Sequence, residues 1–207
     1  MLKLSRQVDY GAAPHPFALP DTTGTLRSLD EFIHGKGLLV TFICNHCPFV
    51  LHLLDGLIEF ANEYTPQGLQ VVAISANDAV QFPEDSPRHM AILAAERHFP
   101  FPYLHDETQE VALAYGAICT PDFFLYARGA DGAMQLAYCG QFDPSRPPLP
   151  HPPLPGTEMY RRSLPVTGVD LRRAADAVLA DQPAPQPQVP SAGCSIEWKP
   201  GKAPGWG

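Results

Sequence analysis

The chain is poor in positive charge. Its 14 lysines and arginines face 22 aspartates and glutamates, a formal net charge of −8. A nucleic-acid binder presents a basic face, so that partner class is set aside. Long apolar runs are missing too. None approaches the roughly 18 residues that a membrane-spanning helix needs, and the opening MLKLSRQVDYGAAPHPF lacks the apolar centre of a secretory signal. A soluble, cytoplasmic protein without a membrane partner is the expectation. Internal repeats are absent, which excludes solenoids and propellers. Cysteines number only five, an odd count that does not suit a disulfide framework in a reducing compartment. Any close pair among them therefore points to redox or metal chemistry.

Hydrophobic residues at 45% against 17% charged are enough for a packed core, and 207 residues suggest one domain with appendages. The boundaries read as a domain over 1–181 and a proline-rich tail over 182–207, docked by Ile196 and Trp198. Proline is abundant at 24 residues and clustered. Seven of the thirteen residues 143–155 are proline, which predicts an extended loop without ladder donors.

Periodicity supplies the elements. Phe17–Leu19 and Leu26–Ser28 flank the turn residues Asp21 to Gly24, predicting an opening hairpin. Residues 37–43 (GLLVTFI) are nearly all apolar, the pattern of a strand buried on both faces. From Pro48, apolar positions 50, 53, 54, 57, 58, 61 and 64 form one helical stripe, with His52, Asp55, Glu59 and Asn62 opposite. Leu69–Ser75 is the next strand, completing a right-handed βαβ unit. Further helices are predicted over 87–98, 108–116 and 169–180, and residues 122–126 and 134–139 make a late antiparallel hairpin. The fold class is α/β, a central mixed sheet flanked by helices.

The chemistry centres on Cys44-Asn45-His46-Cys47-Pro48, at the junction of the buried strand and the first long helix. The thiolate is the reactive form, and a helix N-terminus stabilises it. Cys47 falls at the N-cap and is the predicted nucleophile; Cys44, three residues back, is a candidate resolving partner. His46 inside the pair either stabilises the thiolate or only shapes the turn. A second segment, Ile118-Cys119-Thr120-Pro121, precedes a strand. Cys139 reads as a small core residue.

These segments carry a resemblance. VTFICNHCPFV (40–50), ISANDAVQFPEDSPRHM (74–90), FPFPYLHDETQEVALAYGAICTPDFFLY (99–126), QFDPSRP (141–147), PVTGVDLRRA (165–174) and PSAGCSIEWKPG (190–201) together resemble the thioredoxin-like superfamily. The similarity is to its redoxin branch, grouped with alkyl hydroperoxide reductase and thiol-specific antioxidant proteins. The resemblance implies a thioredoxin fold with Pro121 as a cis-proline facing the active cysteine. It also implies that Thr120 and Pro121 hold a substrate strand, and that CNHCP is the redox centre. One departure matters: in thioredoxins the nucleophile lies five residues after a strand phenylalanine. Phe42 plus five is Cys47, so Val50 stands where the usual partner cysteine would be. The resolving role then falls to Cys44, Cys119 or Cys194, the last in a tail able to fold over the site.

Thiol–disulfide exchange is the expected activity, with a protein or small-molecule disulfide or hydroperoxide as substrate, a dithiol as reductant and no cofactor. Two alternatives stay open. A peroxiredoxin wants P-x-x-x-T-x-x-C; counted back from Cys44, Thr41 fits but Gly37 replaces the proline. Copper or zinc binding by Cys44, His46 and Cys47 with a distant histidine is the other. His52 is expected in solvent, Arg146 as a loop cap, and Asn77 and Asp78 as residues closing a loop.

Overall fold

The computed structural model describes residues 2–6, 8–148 and 164–205. Its centre is a five-stranded sheet. In chain order these strands are β4 (Gly37–Phe42), β5 (Leu69–Ser75), β6 (Tyr103–His105), β8 (Asp122–Arg128) and β9 (Met134–Cys139), and in space they run β6-β5-β4-β8-β9. β4 is parallel to β5 and β5 to β6, whereas β8 and β9 run antiparallel. The sheet is therefore mixed, as the sequence predicts.

β4 shows why its apolar run is unbroken. Side chains alternate across a strand, and here both faces are covered. Leu39 and Ile43 enter one core with Phe49, Val50, Leu53 and Leu57 of helix α1 (Pro48–Tyr64), and with Leu171, Ala174 and Ala175 of helix α4 (Val169–Leu179). Leu38, Val40 and Phe42 enter a second core with Ala112 and Tyr115 of helix α3 (Glu110–Tyr115). The hairpin of β2 (Ala18–Pro20) and β3 (Leu26–Ser28) completes that second layer through Leu19. Its turn is fixed by the Asp21 carboxylate, which accepts the N–H groups of Thr23 and Thr25 and the Arg27 guanidinium.

Helix α2 (Pro87–Glu96) stops two residues short of the predicted end, because His98 takes a left-handed backbone ahead of Phe99-Pro100. Of the proline-rich stretch 143–155, residues 149–155 lie outside those described. Its start is a polar knot: the Asp143 carboxylate accepts the N–H groups of Ser145, Thr167 and Gly168, so it ties the two ends of the excursion together.

A second sheet has no counterpart in the sequence reading. Strand β10 (Ala192–Ser195), from the tail, lies between β1 (Leu2–Leu4) and β7 (Cys119–Thr120), antiparallel to both. Ile196 is buried. The tail is also stitched at Gln188, Val189, Ser191, Glu197 and Lys199 by hydrogen bonds to Cys139, Gln141, Gly140, Asn77 and Gln109.

Candidate active site

The end of β4 and the start of α1 place the two cysteines. Pro48 occupies the first helical position, where its missing N–H costs nothing, and Cys47 is the N-cap. Both thiols are shielded: Cys47 is 0% exposed and Cys44 1%. The Thr120–Pro121 peptide is cis and lies across the pair. Cys44 Sγ is 3.3 Å from the Thr120 hydroxyl, and the Cys47 thiol donates to the Thr120 carbonyl oxygen at 3.1 Å.

β10 adds a third thiol. Cys194 pairs with Thr120 across the β7–β10 ladder, and its side chain meets the Cys47 sulfur. Burial opposes ionisation of Cys47. Hydrogen bonding from Cys194, Cys44 and Thr120 outweighs it and holds the Cys47 thiol well below its ordinary value. The Val50 N–H of the first helical turn adds to this electrostatically, without forming a hydrogen-bonded cap. The contact with the Thr120 carbonyl oxygen works the other way, since it is made only by the protonated thiol. Cys44 is pushed well up by its hydrogen bond to Cys47, by burial and by the charges of Cys47 and Asp85. Cys194 is raised first by the Cys47 hydrogen bond and then by burial. Of the three sulfurs, Cys47 is thus the one whose ionised form is favoured.

Beneath the turn lies Asp85, which sequence reasoning missed. It is fully buried and accepts the Asn45 N–H at 2.7 Å, the His46 ring at 2.6 Å and the Asn77 side-chain amide at 2.7 Å. A carboxylate only accepts, so Nδ1 of His46 carries the proton in this pair. The imidazole also stacks on Phe82, with centroids 5.4 Å apart. Asn77 closes its loop as predicted and also accepts the Glu197 N–H, joining Asp85 to the tail.

Other predicted residues fall farther away. The strand alternation that aims Thr120 at Cys44 sends Cys119 to the opposite side. There its thiol donates to the Pro121 carbonyl oxygen at 3.7 Å and is raised by burial and by Asp122. Cys139 is buried in the second core. Arg146 is buried and spends donors on Gln141 and on the carbonyl oxygens of Asp143 and Ser145. His52 is half-buried rather than in solvent. The Ser145 hydroxyl gives its hydrogen to Leu164, so His52 Nε2 is the donor in their 2.6 Å contact.

A CxxC turn between a sheet strand and a core helix, with a cis-proline opposite, defines a thioredoxin-like redoxin. More specifically, the chain belongs to the AhpC/TSA family, whose model matches residues 11–134. Two solved structures are similar along almost the whole chain. An uncharacterized conserved protein from Geobacillus kaustophilus is 44% identical, with a TM-score of 0.86 and 97% of each chain covered. A hypothetical protein from Sinorhizobium meliloti 1021 is also 44% identical, with a TM-score of 0.84, covering 96% of this chain and 99% of that one. Peroxidoxin BcpB from Mycobacterium tuberculosis shares the fold at 21% identity and a TM-score of 0.52, over 64% of this chain and 85% of that one. No curated protein matches the chain. Among the described residues, no helix is long and apolar enough to cross a membrane.

Proposed function

We propose that this protein is a thiol–disulfide oxidoreductase with Cys47 as its central nucleophile and Cys44 as the resolving thiol. The observation that carries the reading is the Cys47 sulfur at the start of α1, with the thiols of Cys44 and Cys194 both turned toward it and its ionised form favoured. The electrostatics order the steps. While Cys47 is a thiolate, it holds Cys44 protonated by hydrogen bond and by charge. Once the Cys47 sulfur is tied in a disulfide to a second sulfur, that charge is gone and Cys44 ionises more readily. The Cys44 thiolate then attacks the Cys47 sulfur, the second sulfur leaves with the bonding electron pair and takes up a proton, and a Cys44–Cys47 disulfide remains. A dithiol donor reverses the sequence. His46, held by Asp85 and Phe82, fixes the turn, and Thr120 and Pro121 form its lid.

The remaining expectations belong to the same reading: a disulfide or hydroperoxide substrate, a dithiol reductant, a reducing cytoplasm, and a redoxin domain over 1–181 with residues 182–207 docked on it. The test is turnover of a disulfide substrate by Cys47→Ser, which abolishes exchange. A Cys47→Ser protein that exchanges disulfides at the parent rate refutes the assignment.

Metal binding has one observation in its favour. Donor atoms of Cys44, His46 and Asp85 lie within 4.8 Å of one another. Against it, a tetrahedral zinc or copper site needs each donor about 2.0–2.3 Å from the metal, and here the His46 and Asp85 donors bond each other at 2.6 Å. Elemental analysis after chelator-free purification decides this, with stoichiometric metal favouring the second reading.

A further inference from the structure

The proposed exchange reaction raises a problem of access. Neither Cys47 nor Cys44 meets solvent, and the strand edge at Thr120, where an extended substrate is expected to pair, is filled by β10 of the same chain. Of the three cysteines, Cys194 alone is half-buried rather than buried.

Two routes lead to the buried pair. In the first, β10 detaches. Detachment breaks its ladders with β1 and β7, the Ser5–Ser191 and Ile196–Ile118 backbone bonds and the contacts of Asn77 and Gln109 with Glu197 and Lys199. It also uncovers Ile196, which is 1% exposed. At about 0.5–1.5 kcal/mol net for each hydrogen bond, so many together make detachment costly at every turnover. In the second route the strand stays in place and the electrons pass along it.

We propose that Cys194 is the entry and exit thiol of a three-sulfur relay, Cys194–Cys47–Cys44, and that external disulfides and thiols react at Cys194. This inference rests on the exchange reading above. In the oxidising direction, the Cys194 sulfur attacks an external disulfide R–S–S–R′ as its proton passes to the adjacent Cys47 thiolate. R′S⁻ leaves and takes a proton from the Cys47 thiol, giving a mixed disulfide R–S–S–Cys194 beside a restored Cys47 thiolate. Cys47 attacks the Cys194 sulfur, RS⁻ leaves and is protonated from solvent, and a Cys47–Cys194 disulfide forms. Cys44, surrendering its proton to the Cys194 thiolate that leaves, then attacks Cys47. The external disulfide has been reduced to two thiols, and Cys44 and Cys47 have been oxidised to one disulfide. Run backwards with an external dithiol, the same steps empty the buried disulfide through Cys194.

The packing is built for this contact. A side chain on Gly193 would place its Cβ 2.0 Å from the Thr120 carbonyl oxygen and 2.6 Å from the Thr120 carbonyl carbon. Only glycine lets β10 lie this close to the cis-proline loop, and that closeness puts the next residue, Cys194, on Cys47. The leaving-group order also fits. When an external thiolate attacks a Cys47–Cys194 disulfide at Cys194, the departing Cys47 sulfur still has the donors of Cys44 and Thr120 beside it.

The experiment uses the full chain with oxidised glutathione as the probe, and reads both the exchange rate and the modified cysteine by peptide-mapping mass spectrometry. In Cys47→Ser, glutathione is trapped on Cys194. Cys194→Ser loses at least tenfold in the rate of forming the Cys44–Cys47 disulfide, and Cys194→Ala behaves alike. The relay is overturned if Cys194→Ser and Cys194→Ala lose less than tenfold, or if Cys47→Ser carries no glutathione on Cys194. Either result with an inactive Cys47→Ser removes the relay and leaves the exchange reading standing. A fully active Cys47→Ser removes the exchange reading itself.

Discussion

Replacing Gly193 by alanine tests how tightly the tail is seated. The new methyl group meets backbone atoms only, the Thr120 oxygen at 2.0 Å, the Thr120 carbon at 2.6 Å and the Pro121 nitrogen at 3.1 Å, against the 3.4–4 Å of an ordinary contact. No side chain can rotate out of the way, so β10 retreats by more than an ångström. The Cys194–Thr120 and Ser195–Cys119 pairs and the Ile196–Ile118 hydrogen bond stretch together. Two to four weakened bonds at about 1 kcal/mol each give a loss of about 2–4 kcal/mol. For a chain of this size, a melting temperature about 5–15 °C lower follows. Withdrawal of Cys194 also removes a hydrogen bond from Cys47, so the Cys47 pKa rises. A thermal melt reads the first effect and the ultraviolet absorbance of the thiolate, followed against pH, the second. A Gly193→Ala protein with the parent's melting temperature and thiolate titration refutes this seating of the tail.

Three further outcomes follow from single contacts. Asp122 is fully buried, and its carboxyl is pushed up to about 7 from 3.8, by burial first, although Ser5 donates to it at 2.6 Å. The folded chain therefore holds this proton where the unfolded chain has released it, and stability falls as pH rises from about 4 to about 7. The full effect is about 4 kcal/mol, and Asp122→Asn, which still accepts from Ser5, flattens that slope in urea unfolding across the window. Asp85→Asn trades an acceptor of three N–H donors for an amide that brings two donors of its own. It costs about 2–4 kcal/mol in urea unfolding, and it lowers the Cys44 pKa by removing a nearby negative charge, visible as faster alkylation of Cys44 in a Cys47→Ser background. Leu39→Ala, at the centre of β4 and 0% exposed, costs about 2–5 kcal/mol in the same measurement.

The parts readable in the sequence share a property: their cause is local. The apolar run of β4, the stripe of α1, the Asp21 turn and the strand-to-helix position of Cys44 and Cys47 are each set within a few turns of chain. What escaped notice depends on distant partners. β10 reads Ala-Gly-Cys-Ser, with little strand propensity, and becomes a strand only because β1 and β7 offer edges on both sides. β1 has three residues and no alternation to recognise. Asp85 sits among Pro83, Glu84 and Ser86 and looks like any acidic loop residue. Its role appears only when the CNHC turn and Asn77 close over it. His52 lies on the polar stripe as expected, but Ser145, 93 residues later, comes down on it. The cis-proline followed from the family resemblance and not from local pattern.

The central claim is that Cys47 is the thiolate of an exchange centre and that its disulfide partners are its two sulfur neighbours. Equilibrating the protein in graded mixtures of reduced and oxidised glutathione, then blocking free thiols and mapping the disulfides, tests it most directly. A reversible two-electron transition is predicted, with Cys47 joined to Cys44 at equilibrium and to Cys194 at early times, while Cys119 and Cys139 stay reduced. Five free thiols at every ratio, or a disulfide that excludes Cys47, contradicts it.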